Sequence, residues 1–120
     1  MSAVVHVDHS KLDDLRALDR PGNEGFLTRI ATVFLDDARR RVEAIEKGVE
    51  QQDAGAVQMP AHALKGSCSY LGATQLAELC RAIEERAEQG NLEGCSEAVA
   101  RIRDELTTVS ALLTEEMKKA

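Results

Sequence analysis

The residues of this 120-residue chain with an obvious capacity for chemistry are three histidines, three cysteines and a few small polar side chains. The most suggestive set is Ala61-His62-Ala63-Leu64-Lys65-Gly66-Ser67-Cys68. On a helical wheel the apolar residues Val57, Ala61, Leu64, Cys68 and Leu71 form one stripe, and His62 falls about 140° from its centre. The spacing therefore predicts an exposed imidazole, with Lys65 flanking it, Gly66 directly beside it and Ser69 on the same side. An exposed imidazole is largely uncharged at neutral pH and can act as a nucleophile. Glycine inside a helix costs about 1 kcal/mol relative to alanine. Gly66 is thus either a clearance that lets a partner reach the imidazole, or a tolerated residue on an ordinary surface.

Other candidates carry less. His6 and His9 form an HxxH spacing near the amino terminus, with no cysteine or carboxylate cluster beside them to complete a metal site. Ser67 and Ser69 have no local Asp or Glu to build a nucleophilic triad, and read better as small polar residues on a surface. Cys68, Cys80 and Cys95 are an odd count without CxxC spacing, with Cys68 and Cys80 on predicted core stripes. They read as reduced structural thiols of a cytoplasmic protein. There is no glycine-rich phosphate loop, no GK[ST] and no dinucleotide fingerprint, so no ATP site is expected.

The elements that must hold His62 follow from composition and punctuation. The chain has 17 Ala, 13 Leu and 13 Glu but only 2% aromatic residues, which favours helix and leaves little for strands. A short helix is predicted over about Ser10 to Leu18, closed by Arg20-Pro21-Gly22-Asn23. A long one runs from Glu24 to about Gln51 on Leu27, Ile30, Phe34, Leu35, Ala38, Val42, Ile45 and Val49. Asp53 is the predicted N-cap of the His62 helix, and Gly72 its closing glycine. A fourth helix carries Leu76, Leu79, Cys80, Ile83 and Ala87 to Gly90. The last opens near Asn91 and repeats Cys95, Val99, Ile102, Leu106, Val109 and Leu113. The expected fold is all-α: one domain over residues 1–120, with an N-terminal helix and loop (1–22) and an antiparallel four-helix bundle (23–120). Gly48, Gly55 and Pro60 sit awkwardly in it, and Pro60 predicts a kink ahead of His62.

Net charge is −6, which argues against a partner whose phosphates must be neutralised by Lys and Arg. No run of apolar residues is long enough to span a membrane. Met1-Ser2-Ala3-Val4-Val5 lacks the basic start of a secretory signal. Four helices can bury their own stripes, so a monomer is expected.

Taken together, the His62–Cys68 segment, Leu71-Gly72-Ala73, Leu76-Ala77-Glu78-Leu79-Cys80 and Ile83-Glu84 closely resemble the histidine-containing phosphotransfer (HPt) domain. The core match spans about His62 to Gly90. Upstream, Leu12, Leu15 and Leu18, Asp19-Arg20-Pro21-Gly22, Phe26-Leu27 and Phe34-Leu35 also fit. The resemblance implies a relay without kinase activity: a histidine takes a phosphoryl group from an aspartyl phosphate on one receiver domain and passes it to another. His62 matches that histidine, Lys65 the basic residue one turn on, and Gly66 the small residue that lets the receiver dock. Gln58 and Ser69 would lie on the docking surface. Glu84 occupies a position where the family often carries Glu or Gln near the imidazole. The implied partners are response-regulator receivers and a hybrid sensor histidine kinase. No cofactor is implied for this chain, since Mg²⁺ would come from the receiver. Glu84, Glu85 and Glu88 would repel a phosphohistidine, with Lys65 and Arg81 as the offsetting cations. The alternative is a helical adaptor that binds a receiver or kinase without accepting phosphate.

Overall fold

Each apolar stripe in the sequence builds a helix. The computed structural model describes residues 4–119. The helices are α1 (His9–Arg16), α2 (Phe26–Glu50), α3 (Ala54–Leu71), α4 (Thr74–Glu88) and α5 (Cys95–Lys118). Four long helices on short connections pack around one apolar core, and α1 lies against α2 and α3. Part of the amino-terminal leader reading, Met1 to Ala3, and the final Ala120 lie outside the described residues.

The boundaries differ from the pattern where local hydrogen bonds decide them. Helix α1 begins at His9 because the Asp8 carboxylate accepts from Ser10 N at 3.0 Å. Helix α2 starts after Gly25, whose φ of 75° no apolar periodicity could signal. There the Asp19 carboxylate reaches across the loop to accept from Gly25 N and Phe26 N, at 3.2 and 3.0 Å. Helix α5 starts at Cys95 rather than near Asn91, because Gly90 and Gly94 both take positive φ.

Helix α3 carries the site, and its ends are those the sequence marks. The Asp53 carboxylate caps it by accepting from Ala56 N at 3.1 Å, and Gly72 closes it at φ 81°. Helix begins at Ala54, which places Pro60 inside it. The buried stripe is Val57, Ala61, Leu64, Cys68 and Leu71, as expected. On α2, Ala31 is buried while Ile30 and Leu35 are only half-buried. Gly48 is explained by close approach. A Cβ there would lie 2.7 Å from Val57 Cγ2 and 3.1 Å from Val57 N, so the glycine lets α2 and α3 touch at their turn.

The amino-terminal segment is tied down across the α3–α4 turn. Asp8 N donates to Gly72 O at 2.7 Å, and Gln75 N donates to Val5 O at 3.1 Å. This holds the carboxyl end of the His62 helix against the rest of the bundle.

Candidate functional site

His62 projects from the outer face of α3, with 69% of its side chain exposed. The ring is nevertheless oriented. Its Nδ1 lies 2.6 Å from Glu84 Oε2, and Lys65 Nζ donates to Glu84 Oε1 at 2.6 Å. Glu84 comes from α4, on the edge of the buried stripe beside Ile83 and Ala87, and its side chain is 8% exposed. One carboxylate therefore holds both the imidazole and the ammonium, from the helix behind them.

The electrostatics give the ring a definite tautomer. The hydrogen bond from Lys65 holds the Glu84 carboxyl below the usual carboxylate range, burial works against it, and the hydrogen bond to His62 adds to the lowering. An ionised carboxylate only accepts, so Nδ1 must be the nitrogen that carries the proton. Nε2 then keeps its lone pair, and among the described residues no protein group hydrogen-bonds it. In its neutral form the ring is therefore an oriented nucleophile facing solvent, with a cation one helical turn away.

The surroundings of the ring are open. An added Cβ at Gly66 would meet nothing within 4 Å. Ser69 is exposed and its hydroxyl donates to Lys65 O at 3.0 Å, while Ser67 donates to Ala63 O at 3.3 Å. Both serines are thus bonded along their own helix. Gln58 is half-buried one turn before His62. Arg81 is engaged elsewhere: its guanidinium binds Glu78 and Glu85 on its own helix. Of the two cations expected to offset negative charge, Lys65 is the one the structure joins to the His62–Glu84 pair.

The remaining chemistry-bearing residues lie away from this place. Cys68, Cys80 and Cys95 are free and buried, and the Cys68 thiol is pushed far up by hydrogen bonding to Cys80 and by burial. Such a thiol is a poor nucleophile. His6 and His9 do not converge on one point. His6 Nδ1 meets Glu105 Oε2 at 2.7 Å, and His9 Nε2 lies 3.8 Å from Glu116 Oε2.

Glu105 and Glu116 are buried carboxylates that sequence reasoning does not single out. Their signal is present, because both fall on the apolar stripe of α5 where a charge needs a partner. Glu116 finds Arg16 and Lys119, which hold its carboxyl down at about 2.

Comparison with known proteins gives the family and the fold. Residues 29–112 match the Hpt domain family. Histidine-containing phosphotransfer protein 1 of Arabidopsis thaliana is 29% identical over 98 residues, covering 80% of this chain and 64% of that protein. Pseudo histidine-containing phosphotransfer protein 1 of Oryza sativa is 29% identical over 90 residues, covering 73% of this chain and 48% of that protein. The chain thus spans about half to two thirds of the length of these curated relatives. Among solved structures, histidine-containing phosphotransfer protein B of Pseudomonas aeruginosa PAO1 superposes with a TM-score of 0.87 at 24% identity, covering 98% of this chain and 99% of that one. The maize protein ZmHP2 superposes with a TM-score of 0.81 at 26% identity, covering 96% and 91%. The chain belongs to the Hpt domain family.

Proposed function

We propose that this chain is a phosphorelay intermediate in which His62 is the phosphoryl carrier. The observation that supports this best is the exposed ring of His62, held through Nδ1 by an ionised Glu84 so that Nε2 faces solvent. Nε2 would attack the phosphorus of a receiver's aspartyl phosphate in line. The N–P bond forms, and the receiver's carboxylate leaves with the electron pair. The transition state is loose, with negative charge on the equatorial oxygens, and Lys65 is the cation within reach of it. Gly66 leaves room for the receiver's surface. Mg²⁺ would be supplied by the receiver, and this chain would bind no cofactor and have no kinase activity of its own.

The partners in this reading are receiver domains and a hybrid sensor histidine kinase, met by a monomer. The α2 side of α3 offers apolar docking contacts in a groove where Ile30, Val33 and Tyr70 lie beside Asp36, Asp37 and Arg40. The α4 side presents Glu78 and Glu85, both paired with Arg81, and Glu88, an exposed carboxylate that would repel an acidic phosphorylation site.

The test is transfer from a phosphorylated receiver to the native chain and to His62→Gln. Acid-labile, alkali-stable label on the native chain alone is expected. Binding of several receivers without label on the native chain would instead make it an adaptor.

A further inference from the structure

Glu84 has a consequence for the return step that follows from where its charge sits. When Nε2 accepts the phosphoryl group, the proton on Nδ1 does not move, so the product is a phosphorylated imidazolium. In the onward step a receiver carboxylate oxygen attacks phosphorus, the Nε2–P bond breaks, and its electron pair returns to Nε2. If Nδ1 still carries its proton, neutral imidazole leaves. If that proton has been lost, the leaving group is an imidazolate anion, which is far poorer. Whatever retains the Nδ1 proton therefore governs how well His62 donates.

We propose that Glu84 is a positioning residue for this donor step: its buried carboxylate keeps the proton on Nδ1 of phosphorylated His62 and so extends onward transfer to higher pH. The inference rests on the relay reading of His62. Its geometric basis is the 2.6 Å approach of Glu84 Oε2 to Nδ1, from a side chain that is 8% exposed to a ring that is 69% exposed, so that solvent screens the pair from the imidazole's side only. An opposite charge at this distance favours a protonated ring, by roughly one pH unit once the exposure of the imidazole is counted.

Lys65 makes the arrangement responsive. In the unphosphorylated chain it neutralises Glu84 through Oε1. Its side chain is 31% exposed and leaves the same helix one turn beyond His62, so its ammonium can turn to a phosphoryl group on Nε2. Glu84 is then left facing the imidazolium as its main counter-charge.

The other charged groups of the neighbouring helices are paired elsewhere or face solvent. On α4, Arg81 is held by Glu78 and Glu85, and Glu88 is exposed. On α2, Arg40 and Arg41 are held by Asp36 and Asp37. On α5, Arg103 binds Glu46, Glu105 meets His6, and Glu116 is held by Lys119 and Arg16.

The decisive comparison is the native chain against Glu84→Gln, which can still accept from Nδ1–H through its amide oxygen but carries no charge. Both are phosphorylated with phosphoramidate, which needs no receiver. Nδ1 of the phosphorylated ring is then titrated by ¹⁵N NMR, and onward transfer to a receiver is timed over a pH series from mildly acid to alkaline. The Glu84→Gln titration and rate profile are expected to break about one pH unit lower, giving roughly tenfold slower transfer on the alkaline side and equal rates on the acid side. Glu84→Asp, which keeps the charge, should restore most of the range and serves as the test if the amide variant does not fold. Superimposable titrations for the native chain and Glu84→Gln overturn the inference. The ring titration reads independently of any receiver, so a failure of the relay reading leaves that result standing.

Discussion

Replacing Gly66 by alanine should make the protein more stable and a worse phosphoryl carrier. The backbone at this position is helical, and an added Cβ meets nothing within 4 Å, so the methyl group brings neither strain nor new packing. What remains is the difference in helix propensity, about 1 kcal/mol in favour of alanine. For a domain of this size that raises Tm by roughly 3–6 °C. The same methyl projects from the exposed face beside His62, where a receiver must bring its aspartyl phosphate to the ring. Where the partner packs closely, the intrusion costs about 1–3 kcal/mol, or roughly 5- to 150-fold in the second-order rate of transfer. Leucine at the same site should slow transfer further. The assays are urea or thermal unfolding and timed transfer from a phosphorylated receiver. Unchanged transfer for both variants would refute the clearance argument and leave Gly66 a tolerated surface residue. A fall in stability would refute the reading of its surroundings.

Three of the remaining expectations are direct. Gly48→Ala has the same propensity gain but drives a Cβ to 2.7 Å from Val57 Cγ2 and 3.1 Å from Val57 N, so it should lose up to about 2 kcal/mol net in urea unfolding. Glu116 has its carboxyl depressed from 4.5 to about 2 by Lys119 and Arg16, so its contribution is complete above about pH 4.5 and disappears as the pH falls toward 2. Glu116→Gln should flatten that part of the stability profile; a native acid limb unaltered in the variant would count against the pairing. His62→Gln should abolish labelling while changing Tm by only a few degrees, because the ring it removes is mostly exposed.

Much of this architecture is legible along the chain. The stripe Val57, Ala61, Leu64, Cys68 and Leu71 implies both a helix and an outward His62, since a period of 3.6 ties each residue's direction to its neighbours. Asp53 and Gly72 mark the ends of that helix through hydrogen-bonding and conformational preferences that act locally. The start of α2 departs from the pattern because Asp19 caps it from another segment, and the start of α5 because two glycines turn the chain before helix can form. Arg81 is a reasonable cation for the site by position, but Glu78 and Glu85 on its own helix hold it.

The pattern of side chains by itself determined that the chain is helical, that its helices bury one stripe each, and that an imidazole, an ammonium and a bare glycine share an exposed face. Those properties depend on spacing within a single helix. The family resemblance pointed to Glu84 as a neighbour of the imidazole. Only the packing of α4 against α3 decided that its carboxylate would be buried and would take both Nδ1 of His62 and Nζ of Lys65. The same holds for Gly48 beneath Val57 and for His6 on Glu105, contacts made between separate elements. A helix's own period fixes where each side chain points, whereas the distance to a group on another helix is set by how two surfaces settle against each other.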